Sequence, residues 1–431
     1  MFATPADKTF QRARFRPISH DARYPARREF LLMTTNGNTP AIKPRFTLLP
    51  VKGASAWTAL DTRYVVWLFA LGLALRGAFV WFVFGIRHER WRHYLPLSDG
   101  SSFVPVAKVL WGQAPIESLG FYDSRVFPGW PAVFGDLLWL LPEPLVALGL
   151  AMLMAAIVPV VFYVLTRAWP ATCALVWLPP AWLLASVHPI SEPLYLLLGL
   201  GALWCWQRDR LAWAGGLAGV MCATKPYGVF LAVAVGAGVA CQAGGWSWRR
   251  LARYAIPVAL IGAGCVLLNV ALYGDALRQL HVYASPLKEL NLRSPPDSLR
   301  DASGHWSWPF RALIVTPWQT RWPLWKLVYI YGNAVAFLIL LARPTLRFWR
   351  NRSLSPLEFV LWAWLAGNMA ASCSGGPYWG FVSFDRYVIW ALPAAIALNA
   401  DLIAAHPRWH FALGLASIGI TVFGVAHHGL G

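Results

Sequence analysis

The chain has 431 residues, 58% of them hydrophobic and 13% charged, with a mean hydropathy of +0.49 and 26 Trp. Even large soluble domains leave much of their area in water, so this composition excludes a soluble globular enzyme and points to a membrane. The net charge of +18 is scattered among apolar runs, which fits Lys- and Arg-rich cytoplasmic loops and argues against a nucleic-acid partner.

Taken in chain order, residues 1–63 hold eleven Lys/Arg against four Asp/Glu and the turn-rich TTNGNTP. They read as a basic, disordered cytoplasmic tail without a cleavable signal; Met33 offers an alternative start. Residues 64–431 form the membrane domain. Apolar runs of 17–22 residues recur there, the length that crosses a bilayer as helix. The predicted fold is an all-α polytopic membrane protein. About eleven spans are expected, near 64–86, 144–166, 171–187, 191–206, 211–224, 227–242, 254–273, 326–342, 356–373, 386–404 and 409–427. Residues 131–142, PAVFGDLLWLLP, are too short to span and are expected at the interface. A β-barrel is excluded, because its strands alternate apolar and polar residues. The six Cys stand singly in or beside apolar stretches, which suggests neither a disulfide framework nor a zinc site.

Threading from a cytoplasmic N-terminus puts Arg167, Arg208, Arg210, Arg249, Arg250, Arg253, Arg343, Arg347, Arg350, Arg352 and Arg408 in inner loops. Arg87, Arg90 and Arg92 crowd the outer end of the first span against that rule, and Arg76 inside it must face the bundle or snorkel. Two long loops, 87–143 and 274–325, come out on the far side. Asp99, Asp123, Arg125, His188, Glu192, Lys225 and Arg386 then share one membrane face. That asymmetry marks the outer face as the place for chemistry.

Taken alone, Asp99 reads as the N-cap of a helix that begins near Ser101 and is closed by Gly112. Glu192 before Pro193 reads either as a helix-start residue or as a ligand to sugar or acceptor. His188 is either solvated or bound to phosphate or sugar. Asp123 pairs with Arg125 or binds acceptor, and Arg386 pairs with Asp385 or contacts phosphate. Lys225 before Pro226 is either a snorkelling anchor or a phosphate ligand. His88 and His93 are poorly spaced for a metal, and the sequence calls for no cofactor, leaving a divalent ion at Asp99 open.

The ordered set carries a resemblance. Asp99 to Gly112 with Ala107 (D-G-x-x-F-x-x-x-A-x-x-x-x-G), followed by YDSRVFPGWP, resembles the first outer loop of the GT-C glycosyltransferases, polytopic enzymes that take a sugar from a polyprenyl-phosphate carrier. SEPLY (191–195), ATKPYG (223–228) and FDRY with Pro393 resemble later motifs of that superfamily, in the same order. SEP is most similar to the bacterial relatives of the GPI mannosyltransferases, the PIG-V-like group. Lys225 stands where Arg is commoner and Phe103 where Tyr is usual; no acidic dyad of the protein O-mannosyltransferases and no WWD-type signature is present.

The resemblance implies short amphipathic helices in the first outer loop and transfer of a hexose, mannose being the first candidate, to a hydroxyl of a lipid or glycan acceptor. Topology alone suggests a bacterial inner membrane, with an endoplasmic reticulum as the alternative, and an extracytoplasmic site. The residue types suit that chemistry. A fixed carboxylate, Asp99, can take the hydroxyl proton, and Arg125, Lys225 and Arg386 can meet the charge developing on a phosphate leaving group. Loop 274–325, with HVY (281–283) and GHWSWPF (304–310), is expected to contact acceptor. A lipid or polysaccharide transporter or flippase is the rival class, although no internal repeat is evident and the carboxylates sit at helix ends. A non-catalytic scaffold is the third.

Overall fold

Every regular element among the described residues is helical, as the apolar periodicity predicts. The computed structural model describes residues 58–94, 99–241, 247–285, 307–314, 324–351, 354–376 and 383–428, all within the unit that begins at Phe46. The expected disordered tail up to residue 57 and most of loop 274–325 lie outside the described residues.

Helix α1 (Ala59–Trp81) starts on a capping box, in which Asp61 accepts from the Thr58 backbone N–H and Thr58 Oγ1 accepts from Asp61 N–H. It runs on as a π-helical turn, Phe82–Ile86. The polar cap explains why it begins five residues before the expected span, since hydropathy does not register it. The first outer loop carries the expected short helices: α2 (Trp91–Tyr94), α3 (Gly100–Leu110) and α4 (Gly129–Gly135). Gly112 ends the α3 region at φ +68, a left-handed conformation that glycine adopts without Cβ strain.

The long α5 (Glu143–Thr166) follows. The expected span 171–187 is instead two pieces, α6 (Trp169–Trp177) and α7 (Pro180–Ala185). Adjacent Pro179 and Pro180 lack the N–H groups that a continuous helix needs. Then come α8 (Glu192–Gln207), α9 (Leu211–Thr224), α10 (Gly228–Cys241) and α11 (Trp248–Tyr273), and α12 (Arg278–Ala284) from the second outer loop. After α13 (Leu324–Asn351) and α14 (Pro356–Cys373), the expected span 386–404 is also broken. It comprises α15 (Phe384–Val388), a 3-10 turn, α16 (Leu392–Leu398) and α17 (Ala400–Ala405), and α18 (Pro407–His428) closes the described chain.

Among the described residues, four stretches are long and apolar enough to cross a membrane: Ala59–Ile86, Glu143–Thr166, Trp248–Tyr273 and Leu324–Arg350. At about 1.5 Å per residue, 14-residue helices such as α9 and α10 reach only about 21 Å, short of a hydrocarbon core of about 30 Å. Their ends therefore fall inside the bundle, and one such break carries Lys225.

The outward faces are those of a membrane protein. In α11 the buried side chains are Tyr254 and Asn269, whereas Ile256, Leu260 and Leu267 are exposed. Water would penalise such a surface and lipid accepts it. Arg76 faces the bundle: it is fully buried, donates from Nη1 to Gly72 O (2.9 Å) and lies 5.4 Å from the Trp182 ring centroid. Exposed Trp81, Trp248, Trp349 and Trp409 stand near helix ends, where amphipathic rings favour an interface.

Candidate functional site

Asp99 precedes α3, and its carbonyl accepts from Ser102 N–H and Phe103 N–H, both at 2.9 Å. Its carboxylate does not cap that helix. The backbone at φ −60, ψ −8 is already helical, so the side chain is not in the extended geometry that folds a cap back onto the first turn. The carboxylate goes instead to three cations. Oδ1 is 2.9 Å from Arg125 Nη2, and Oδ2 is 2.6 Å from Arg386 Nη2 and 3.7 Å from Lys225 Nζ.

Each cation arrives from a separate segment. Arg125 ends the 3-10 turn Tyr122–Arg125, and its Nη1 donates to Ser102 Oγ (2.8 Å), fastening that turn to α3. The same turn is held from outside by α12. Arg278 Nε donates to Ser124 Oγ (2.8 Å), Gln279 Nε2 reaches Val126 O (3.5 Å), and Tyr283 packs by Phe127. Lys225 sits in extended backbone between α9 and α10, as a residue before proline prefers. Its ammonium lies 5.7 Å from the Phe103 ring centroid and 5.2 Å from that of Trp390, distances at which the ring faces attract a cation. Arg386, on the short α15, spans two carboxylates with one guanidinium, Nη2 on Asp99 and Nε on Glu192. The planar fork lets it reach both with separate N–H groups.

Glu192 starts α8 but, like Asp99, does not act as a cap. It is fully buried, and Oε1 accepts from Arg386 Nε and Trp390 Nε1 and lies 3.6 Å from Lys225 Nζ. Three cations against two carboxylates leave the cluster one positive charge. Exposure falls from Asp99 (26% of the side chain) through Arg386 (22%) and Lys225 (11%) to Glu192 (0%), so the cluster opens at Asp99. His188, also buried, packs on the Tyr94 ring at 5.2 Å, and the Tyr94 hydroxyl donates to Val187 O.

Electrostatics follow from this geometry. Burial works against charge on Asp99, but Arg386, Arg125 and Lys225 outweigh it and hold the carboxyl well below the usual carboxylate range. Burial pulls the Lys225 ammonium down, with Glu192 opposing. Burial and neighbouring Arg386 push His188 down to about 4, so the imidazole is neutral near pH 7.

Thus six predicted residues meet or adjoin: Asp99, Arg125, Glu192, Lys225, Arg386 and His188. Asp123 does not join them. Its Oδ2 accepts from Gly120 N–H (3.0 Å), closing a local turn, and the expected Asp123–Arg125 pair is replaced by Asp99–Arg125. Nor does Arg386 turn to Asp385, which faces Tyr329 and Lys326 of α13.

Sequence reasoning missed Ser102, Trp390 and Tyr94. Two of these carried a signal: Ser102 lies three residues after Asp99 and Trp390 four after Arg386, spacings that share a helical face. Of the second outer loop's expected contacts, Ser307 N–H donates to Ser374 O, while residues 304–306 lie outside the described residues. Among the described residues no group of three or more His, Cys, Asp or Glu is placed to hold a metal ion. Comparison with models of known protein families finds no match, and comparison with curated proteins finds none.

Proposed function

We propose that this chain is an integral membrane glycosyltransferase of GT-C type, moving a hexose from a polyprenyl-phosphate carrier to a hydroxyl of a lipid or glycan acceptor. Mannose is the first candidate sugar. The reading places the protein in a bacterial inner membrane with the site on the extracytoplasmic face. One observation carries it: a partly exposed carboxylate shares three cations drawn from distant segments, with apolar helices around them.

In the proposed reaction the acceptor oxygen attacks the anomeric carbon and Asp99 takes the hydroxyl proton. The bond from that carbon to the phosphate oxygen breaks, its electron pair leaves with the phosphate, and the configuration inverts. Arg125, Lys225 and Arg386 neutralise the charge gained there, as preorganised donors do most effectively in a site shielded from water. The cluster's single surplus positive charge suits a phosphodiester monoanion. While clamped, Asp99 is a weak base; a donor phosphate competing for the same cations frees it for the acceptor proton.

Purified protein given labelled polyprenyl-phosphate hexoses is expected to release label from one carrier to an acceptor. Asp99→Asn is expected to lower that rate at least about 100-fold with an unchanged size-exclusion profile. A variant that retains the rate removes Asp99 from the mechanism, and substrate flux across liposomes without transfer supports a transporter instead.

A further inference from the structure

Beside the cations, three buried polar atoms lack hydrogen-bond partners among the described residues. On the turn that opens α8, His188 Nε2, Ser191 Oγ and Glu192 Oε2 are buried with no partner among the described residues. Their residues are 5%, 0% and 0% exposed. Leaving one buried polar atom unpaired costs about 1–3 kcal/mol, so three within five residues call for something that donates to them.

Ser191 is the most telling. A serine at this position ordinarily accepts from an N–H two or three residues on. Here the backbone is helical (φ −85, ψ −7), position 193 is a proline without N–H, and the hydroxyl makes no cap bond. The sequence withholds this hydroxyl from its own helix. His188 lies close enough to Asp99, Glu192 and Arg386 to feel all three, and its low basicity keeps the ring neutral. The Glu192 carboxylate oxygen repels phosphate, whereas a hydroxyl, a neutral imidazole and a carboxylate oxygen together can exchange hydrogen bonds with O–H groups.

We propose that His188, Ser191 and Glu192 form a hydroxyl-recognition subsite for the sugar of the carrier-linked donor, while Arg125, Lys225 and Arg386 hold its phosphate. This rests on the glycosyltransferase reading and divides its site by chemistry. Glu192 is fully buried where Asp99 is partly exposed, so the subsite would lie deeper than Asp99. A sugar reaches it once the donor phosphate has drawn Arg386 away from Glu192.

The test uses full-length protein in nanodiscs and two probes, bare polyprenyl phosphate and polyprenyl-phosphate hexose. Ser191→Ala is expected to weaken binding of the sugar-bearing carrier about 10-fold, the loss of one hydrogen bond, and to leave the bare carrier unaffected. His188→Gln, which keeps an acceptor, is expected to bind the sugar-bearing carrier more tightly than His188→Ala. Donors lacking the contacted hydroxyl should bind wild type and Ser191→Ala alike. Equal weakening of both carriers overturns the subsite. So does a shifted thermal midpoint with both affinities intact, which would mean that the three atoms hold internal water. If wild type transfers hexose and either result appears, only the subsite falls; if wild type binds neither carrier, the glycosyltransferase reading falls with it.

Discussion

A carboxylate bound to three cations trades basicity for position. Asp99 cannot swing freely, because Arg125 and Arg386 grip different oxygens of it. Removing one member of such a buried set leaves an uncompensated charge, a loss of about 3–5 kcal/mol. Its neighbour His188 supplies a readout of the site in stability. An unfolded imidazole takes a proton near its ordinary 6.5, the folded one only near 4, with Asp99, Glu192 and Arg386 facing it. Between those values the unfolded chain binds the extra proton, so stability is fully present above 6.5 and falls as pH drops through the window. The contribution of Asp99 runs in the same direction lower down, present above the ordinary carboxylate value and lost in stronger acid. Thermal melts of wild type are expected to lose on the order of 3 kcal/mol between pH 6.5 and 4 from His188; His188→Gln melts should lose that much less. At this scale the sequence named most of the cluster but left its pairings open between local and distant partners. Aspartate before a helix reads as a cap because a cap is local, whereas its cations lie 26, 126 and 287 positions away.

Elements were read best where a charged residue or proline bounds the apolar run at each end. Helix α9 matches its predicted bounds, 211–224, and α5 starts one residue early. The two broken segments were missed for a shared reason. Both are largely buried, so an unbroken apolar run says nothing about direction, and Pro179–Pro180 interrupts α6 and α7 without changing hydropathy. One contact between elements controls the site directly. A Cβ added at Gly129 of α4 would stand 2.5 Å from Thr224 Oγ1 and 2.8 Å from Ala223 O, at the end of α9 beside Lys225. A backbone carbonyl cannot rotate away, so α4 must retreat. Gly129→Ala is therefore expected to lose about 1–3 kcal/mol in denaturation of the detergent-solubilised protein. It should also lose hexose transfer, because Lys225 and the first outer loop move apart.

Across the whole molecule, ion pairs sort by helix end. Arg167 after α5 meets Asp61 at the start of α1, Arg250 at the start of α11 meets Asp209 after α8, and Arg347 late in α13 meets Glu358 early in α14. These are ends predicted to face the cytoplasm, and the Asp99 cluster gathers ends predicted to face away. A bilayer would enforce such alternation, and Arg placement predicts which ends share a side, while partner choice within each end is three-dimensional and was not readable. The alternation is open to test with single cysteines in a cysteine-free background. Asp209→Cys and Glu117→Cys both replace exposed residues and are expected to react with a membrane-impermeant maleimide from opposite sides. Labelling from one side would reverse the threading.

The shared clamp also bears on how a catalytic cycle would end. After one transfer Asp99 would hold a proton and the spent carrier a second negative charge, leaving the three cations to a dianion with Glu192 as their remaining rival. The used lipid would then bind more firmly than the fresh one. In the proposed reaction, deprotonation of Asp99 would restore the competitor and evict it, so the residue that begins the chemistry would also reset the site.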